Sequence, residues 1–142
     1  MTKARRMAGL ATLTLLATLC GGNRSAAADD PTTVIRAALE RWRDDFNTGR
    51  ADHICDLFAH DLRYDFQGLP EQNHVLLSNR LYSALANHTQ SYHYGLRIKE
   101  ETIVSGDLTV VRLIWTSILT DKGGRQVTDD EPGLDVFGRQ SG

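Results

Sequence analysis

The chain has 142 residues, 41% hydrophobic and 24% charged, a composition that supports one domain around a single modest core. Its formal charge of −2 averages two unlike segments: residues 1–28 hold Lys3, Arg5, Arg6 and Arg24 and no acid, and the remainder holds 12 basic against 18 acidic side chains, a net charge of −6. That sign excludes a general attraction to phosphate backbones, and with it nucleic acid as an expected partner.

The first 28 residues read as an address. Lys3, Arg5 and Arg6 form a basic start, Met7 to Cys20 an apolar run, and Ser25-Ala26-Ala27-Ala28 a stretch of small residues. That order is a signal peptide cleaved after Ala28 or Ala27. The run is shorter than the roughly 20 residues a membrane span needs. Arg5-Arg6 leaves the twin-arginine and general export routes both open, and Leu19 before Cys20 argues against lipidation. The expected product is an exported domain, residues 29–142, with no membrane attachment after cleavage. Cys55 then has no intramolecular partner, and it reads as a small buried hydrophobe.

Pro31 suits a first helical turn, and Ile35, Leu39, Trp42 and Phe46 recur on one face until Asn47-Thr48-Gly49 stops the helix. Asp52 is placed to cap a short second helix containing Ile54, Leu57 and Phe58. Leu62 to Phe66 alternates as a short strand closed by Gly68 and Pro70. A third helix runs from 74 to about 87, with Leu77, Leu81, Ala84 and Leu85 on one side. Tyr92, Tyr94, Leu96 and Ile98 alternate with polar residues as a half-solvated strand does. Gly106-Asp107 turns the chain into a strand from Leu108 to Thr120 that is apolar on both faces and therefore central. Lys122-Gly123-Gly124-Arg125 is a hairpin, and Val127 to Gln140 returns as the next strand, with Asp129-Asp130-Glu131 before Pro132 as a solvated loop. Helices first and antiparallel strands afterwards make an α+β domain.

Three strings in this order carry a resemblance: Trp42-x-x-x-Phe46-Asn47-x-Gly49, then Asp56-Leu57-Phe58-Ala59-His60-Asp61, and Gly133-Leu134-Asp135-Val136-Phe137. Over residues 32 to 139 the chain resembles the nuclear-transport-factor-2-like superfamily, which includes ketosteroid isomerases and SnoaL-like cyclases. The resemblance implies a cone-shaped roll of N-terminal helices packed on a curved antiparallel sheet, with an apolar pocket between the first helix and the concave face. It implies no cofactor, a small apolar molecule as ligand, and Trp42, Phe46, Tyr64, Phe66 and Phe137 as pocket wall. Isomerase chemistry needs a carboxylate base, a tyrosine and a protonated acid around one oxyanion. Here the base position falls on Phe66 with Asp65 one residue short, the tyrosine position on Trp42, and the acid position on Asp135. Relatives continue into one more strand, whereas this sequence stops at Gly142. The resemblance therefore implies a last strand missing, which leaves three explanations open: a truncated reading frame, an edge covered by a homodimer through the sheet, or a tolerated shorter variant.

Asp135 is the first candidate for catalysis, because apolar Leu134, Val136 and Phe137 surround it and desolvation raises a carboxyl's pKa. The competing role is an ordinary strand carboxylate paired with Arg112 or Arg139. Asp65 is the second candidate, against a solvated strand residue. His53, His60, His74, His88 and His93 show no metal-ligand spacing, so no metal site is expected.

Overall fold

The computed structural model describes residues 30–66 and 68–139, so the expected leader at 1–28 lies outside the described residues. The element order is α1 (Pro31–Asn47), β1 (Arg63–Tyr64), β2 (Gln72–Asn73), α2 (His74–Leu85), β3 (Gln90–Ser105), β4 (Leu108–Asp121) and β5 (Gln126–Gly138). Helix α1 starts on Pro31, whose missing N–H costs nothing in a first turn, and stops where Gly49 takes a φ of +72°. Asn73 caps α2 by accepting the N–H of Leu76 at 3.0 Å.

The main sheet is antiparallel in the order β3-β4-β5, which makes the apolar strand β4 central, as its sequence requires. Its turns are built locally. Asp121 accepts the N–H groups of Gly123 and Arg125 at 2.9 Å, and Gly124 supplies a φ of +79°. Helix α1 lies across one face of this curved sheet, here called the concave face. Leu39 of α1 meets Val111 and Leu113 of β4 in one buried cluster, with Ile35, Leu96, Ile98 and Phe137 packed against it. Trp42 and Phe46 form a second cluster with Ile54 and Leu81. Helices on one face of an antiparallel sheet are the α+β roll that the sequence predicts.

Three expectations differ. Residues 52–58 are successive turns rather than a helix, closed by the i to i+3 bonds Ile54 N–H to Ala51, Asp56 N–H to His53 and Phe58 N–H to Cys55. Ile54 is nonetheless fully buried, so the apolar spacing there marks a core contact and not helical continuity. The strand expected over 62–66 shrinks to two residues. It pairs Arg63 with Asn73 and Tyr64 with Gln72 in a separate hairpin, off the main sheet. Asp129, Asp130 and Glu131 belong to β5 and not to a loop. Pro132 misleads there, because an edge strand tolerates a residue with no N–H to donate. Among the described residues β5 is that edge.

Candidate functional site

Register decides what faces the concave side. Opposite β4, the residues Glu131, Gly133, Asp135 and Phe137 of β5 pair with Trp115, Leu113, Val111 and Thr109. Val111 and Leu113 lie against α1, so these four β5 positions share the concave face. The carboxyl of Asp135 therefore points into the roll, and burial raises its pKa from the ordinary 3.8. Among the described residues no cation balances it. Arg112 is bonded to Glu100 at 2.8 Å on the opposite face, and Arg139 reaches Asp107 at 3.7 Å. Both partners that the sequence offered Asp135 are taken elsewhere, and no group among the described residues donates a hydrogen bond to it.

Glu101, which the sequence reading missed, stands on the same rung. It pairs with Val111 from the β3 side, as Asp135 does from the β5 side. One strand lies between them, so their backbones are about 10 Å apart. Glu101 keeps 14% side-chain exposure; its Oε2 accepts from Arg36 of α1 at 3.0 Å, and its buried Oε1 has no hydrogen-bond partner. Two carboxyl groups thus face the roll in unlike settings, one held by a guanidinium and one desolvated. On the neighbouring rung Leu113 packs over Gly133, which has no side chain to meet it. A Cβ there meets Leu113 Cδ1 at 3.0 Å and Asp135 Oδ1 at 3.5 Å.

One rung outward from Asp135, Thr109 and Phe137 floor a groove of about 430 Å³ walled by Val34, Ile35 and Ala38 of α1. At the other end of α1 lies a pocket of about 300 Å³ between Phe46, Leu81, Tyr92 and Tyr94, with Arg80 at its edge. Tyr94 is pushed up to about 12 by burial first and by Glu131 second. Glu131 is itself raised by burial and by Asp129, and the nearby Arg80 charge opposes that rise. Glu131 was also missed in the sequence; its signal was the two-residue spacing to Gly133, Asp135 and Phe137.

The remaining predicted residues divide. Trp42 is 8% exposed and its indole N–H donates to the backbone oxygen of Ile54 at 2.8 Å, so that donor is already engaged. Its ring stands 5.0 Å from Trp115 and 5.6 Å from Phe46, which places it in the core. Phe46 lines the 300 Å³ pocket and Phe137 the groove. Tyr64 sits in the small hairpin with its hydroxyl enclosed and unpartnered. Asp65 is exposed, and Phe66 is 39% exposed with the Arg80 guanidinium 5.8 Å above its ring. The structure does not bring Asp65 onto the concave face of the main sheet with Asp135, because the strand that was to carry it belongs to the other hairpin. Among the described residues no group of three metal-ligating side chains occurs.

No protein-family model and no curated protein sequence matches the chain. Solved structures do. A ketosteroid isomerase-like protein from Erwinia carotovora atroseptica superposes with a TM-score of 0.64 at 20% identity, over 80% of this chain and 87% of that one. A domain with a cystatin-like fold from Nostoc punctiforme gives 0.63 at 15% identity, over 77% of this chain and 68% of that one. A candidate scytalone dehydratase from Novosphingobium aromaticivorans gives 0.56 at 17% identity, over 78% of each chain. At these identities the likeness is one of fold.

Proposed function

We propose that this chain, which has the fold of the nuclear-transport-factor-2-like, ketosteroid-isomerase-like superfamily, is an exported protein that holds a small apolar cyclic molecule against the concave face of its sheet and moves a proton on it through Asp135. The observation that carries the reading is the setting of Asp135: a carboxyl on the concave face, desolvated, with no cation or hydrogen-bond donor against it among the described residues, one rung from the groove floored by Thr109 and Phe137. A carboxyl whose neutral form is favoured can donate to a carbonyl or hydroxyl oxygen, or accept a carbon-bound proton after ionising. Glu101 supplies a second carboxyl across Val111, and its buried Oε1 has no hydrogen-bond partner. An acid and a base on one face can serve isomerisation, cyclisation or dehydration, and neighbours of this fold are isomerase-like and dehydratase-like in name. The chemistry proposed uses no cofactor.

The test is a thermal melt against a panel of cyclic ketones and enones, followed by turnover assays on any compound that raises the midpoint. A ligand at 100 times its Kd adds about 2.7 kcal/mol. Asp135→Asn is expected to keep the ligand-induced shift and to lose turnover by about 10²–10⁴-fold. Undiminished turnover in that variant removes Asp135 from the chemistry.

A second reading is an assembly module whose sheet pairs with a second copy. One observation favours it: Leu134 and Val136 of β5 are 64% and 63% exposed on the convex face, opposite Arg112 and Val110 of β4.

A further inference from the structure

We propose that the pocket between the last turn of α1, helix α2 and the first half of β3 binds a small aromatic carboxylate, with the Arg80 guanidinium taking the carboxylate. This site lies at the other end of the concave face from Asp135 and does not depend on it.

The walls set the body of the ligand. Phe46, Leu81, Ala84, Tyr92 and Tyr94 present apolar surface around about 300 Å³, the small end of the range for ligand pockets, which suits one or two rings. The aromatic walls are fixed in place. Phe46 and Tyr94 meet edge to face at 4.8 Å, and both main-chain groups of Tyr94 are tied to the Asn47 side chain at 2.7 and 2.8 Å. A ring entering the pocket meets a preformed surface and pays little ordering entropy.

Arg80 sets the head group. Its Nη2 donates to Gln72 Oε1 at 3.3 Å and its guanidinium rests over Phe66 at 5.8 Å. Gln72 is 7% exposed, and its amide nitrogen donates to the Pro70 carbonyl at 2.7 Å, which turns its oxygen toward Arg80. A buried amide and an aromatic ring therefore brace the guanidinium in one orientation. Arginine carries five N–H donors, and only this one bond engages them among the described residues. No carboxylate lies within 4.0 Å of it there. A braced, donor-rich cation at the rim of an aromatic pocket is complementary to a planar carboxylate, which it grips with two parallel bonds. Asn87 and Ser83 add polar edges to the same rim. Glu131 feels the Arg80 charge without touching it, so its own charge works against an incoming anion.

The experiment titrates the purified chain with 2-naphthoate and with 2-naphthamide, its uncharged analogue, by calorimetry. The carboxylate is expected to bind about tenfold or more tightly than the amide, the usual margin for a hydrogen bond to a charged group. Arg80→Gln should erase that margin by weakening naphthoate alone, and Glu131→Gln should tighten naphthoate. Asp135→Asn should change neither. Ser83→Trp, at an exposed lining position, should block both probes while leaving the melting midpoint in place. Equal affinity for the two probes, no saturable binding of either, or an Arg80→Gln effect shared equally by both overturns the proposal; the last outcome makes Arg80 a structural clamp on Phe66 and Gln72.

Discussion

Trp42 shows how one atom can settle a side chain's role. Its N–H satisfies a carbonyl of the turn at 52–58, and that turn has no helix to satisfy it otherwise. Trp42→Phe keeps the aromatic packing and orphans the buried Ile54 oxygen. The expected cost is about 1–3 kcal/mol, read from urea unfolding at unchanged m-value. Asp135 runs the other way. Its folded pKa lies above the unfolded one, so its contribution to stability is full below pH 3.8 and declines as pH rises through the folded value. Asp135→Asn should therefore melt higher than the parent at pH 7, with the gap narrowing as pH falls toward 3.8. A gap that widens on acidification contradicts the desolvated setting. Asp135 stood out by its apolar neighbours, yet Leu134 and Val136 face the convex side and its burial comes from the concave one. Glu131 was hidden behind Pro132-Gly133, a pair that reads as a turn until the strand is known to be an edge.

Among the elements, α1 was legible to the residue, since Pro31, a four-residue apolar stripe and Gly49 all agree. Strand β3 was legible only in part. Its apolar alternation runs cleanly to Ile98, and a bulge then inserts Lys99 between the rungs of Ile98 and Glu100. The extra residue shifts the side chains from Glu100 to Ile103 to the opposite face, which is how Glu101 comes to meet Arg36. Nothing in the alternation announces such a shift, because a bulge is set by pairing with β4. The segment at 52–58 was misread for a related reason: an i, i+3 apolar spacing suits a run of turns as well as a helical turn. Asn47 joins two elements that the sequence leaves separate. It closes α1 and bonds both main-chain groups of Tyr94, on the edge of β3 away from β4. Asn47→Ala should cost about 1–3 kcal/mol and speed hydrogen exchange at the Tyr94 amide ahead of the β4 amides. Uniform exchange across the sheet would show that the latch carries no local stability.

At the scale of the molecule the core is two clusters joined through Leu57 and Trp115, which pack against both. The concave face is closed by α1, whereas the convex face keeps Leu134 and Val136 in water. If that face pairs with a second copy, the parent should sediment as a dimer at high concentration. Leu134→Lys with Val136→Lys should then sediment as a monomer with the same secondary structure. A parent that stays monomeric at the highest reachable concentration rejects the assembly reading. The overall roll was legible because the order of helices and strands leaves few topologies. The two ends of the concave face were not, because which residues share a rung depends on pairings across strands far apart in the chain.

Lys99 bears on chain length as well as on facing. Because it is the unpaired residue of its bulge, deleting it leaves Ile98 on the concave face, Glu100 on the convex one and Glu101 beside Arg36. A deletion of one residue within the paired stretch on either side inverts part of the strand instead. Position 99 is thus where this scaffold can gain or lose a residue without exchanging the chemistry it offers. What changes is the bend of β3, since bulges curve a sheet. Deleting Lys99 should therefore keep Glu101 and Asp135 on one rung while straightening β3.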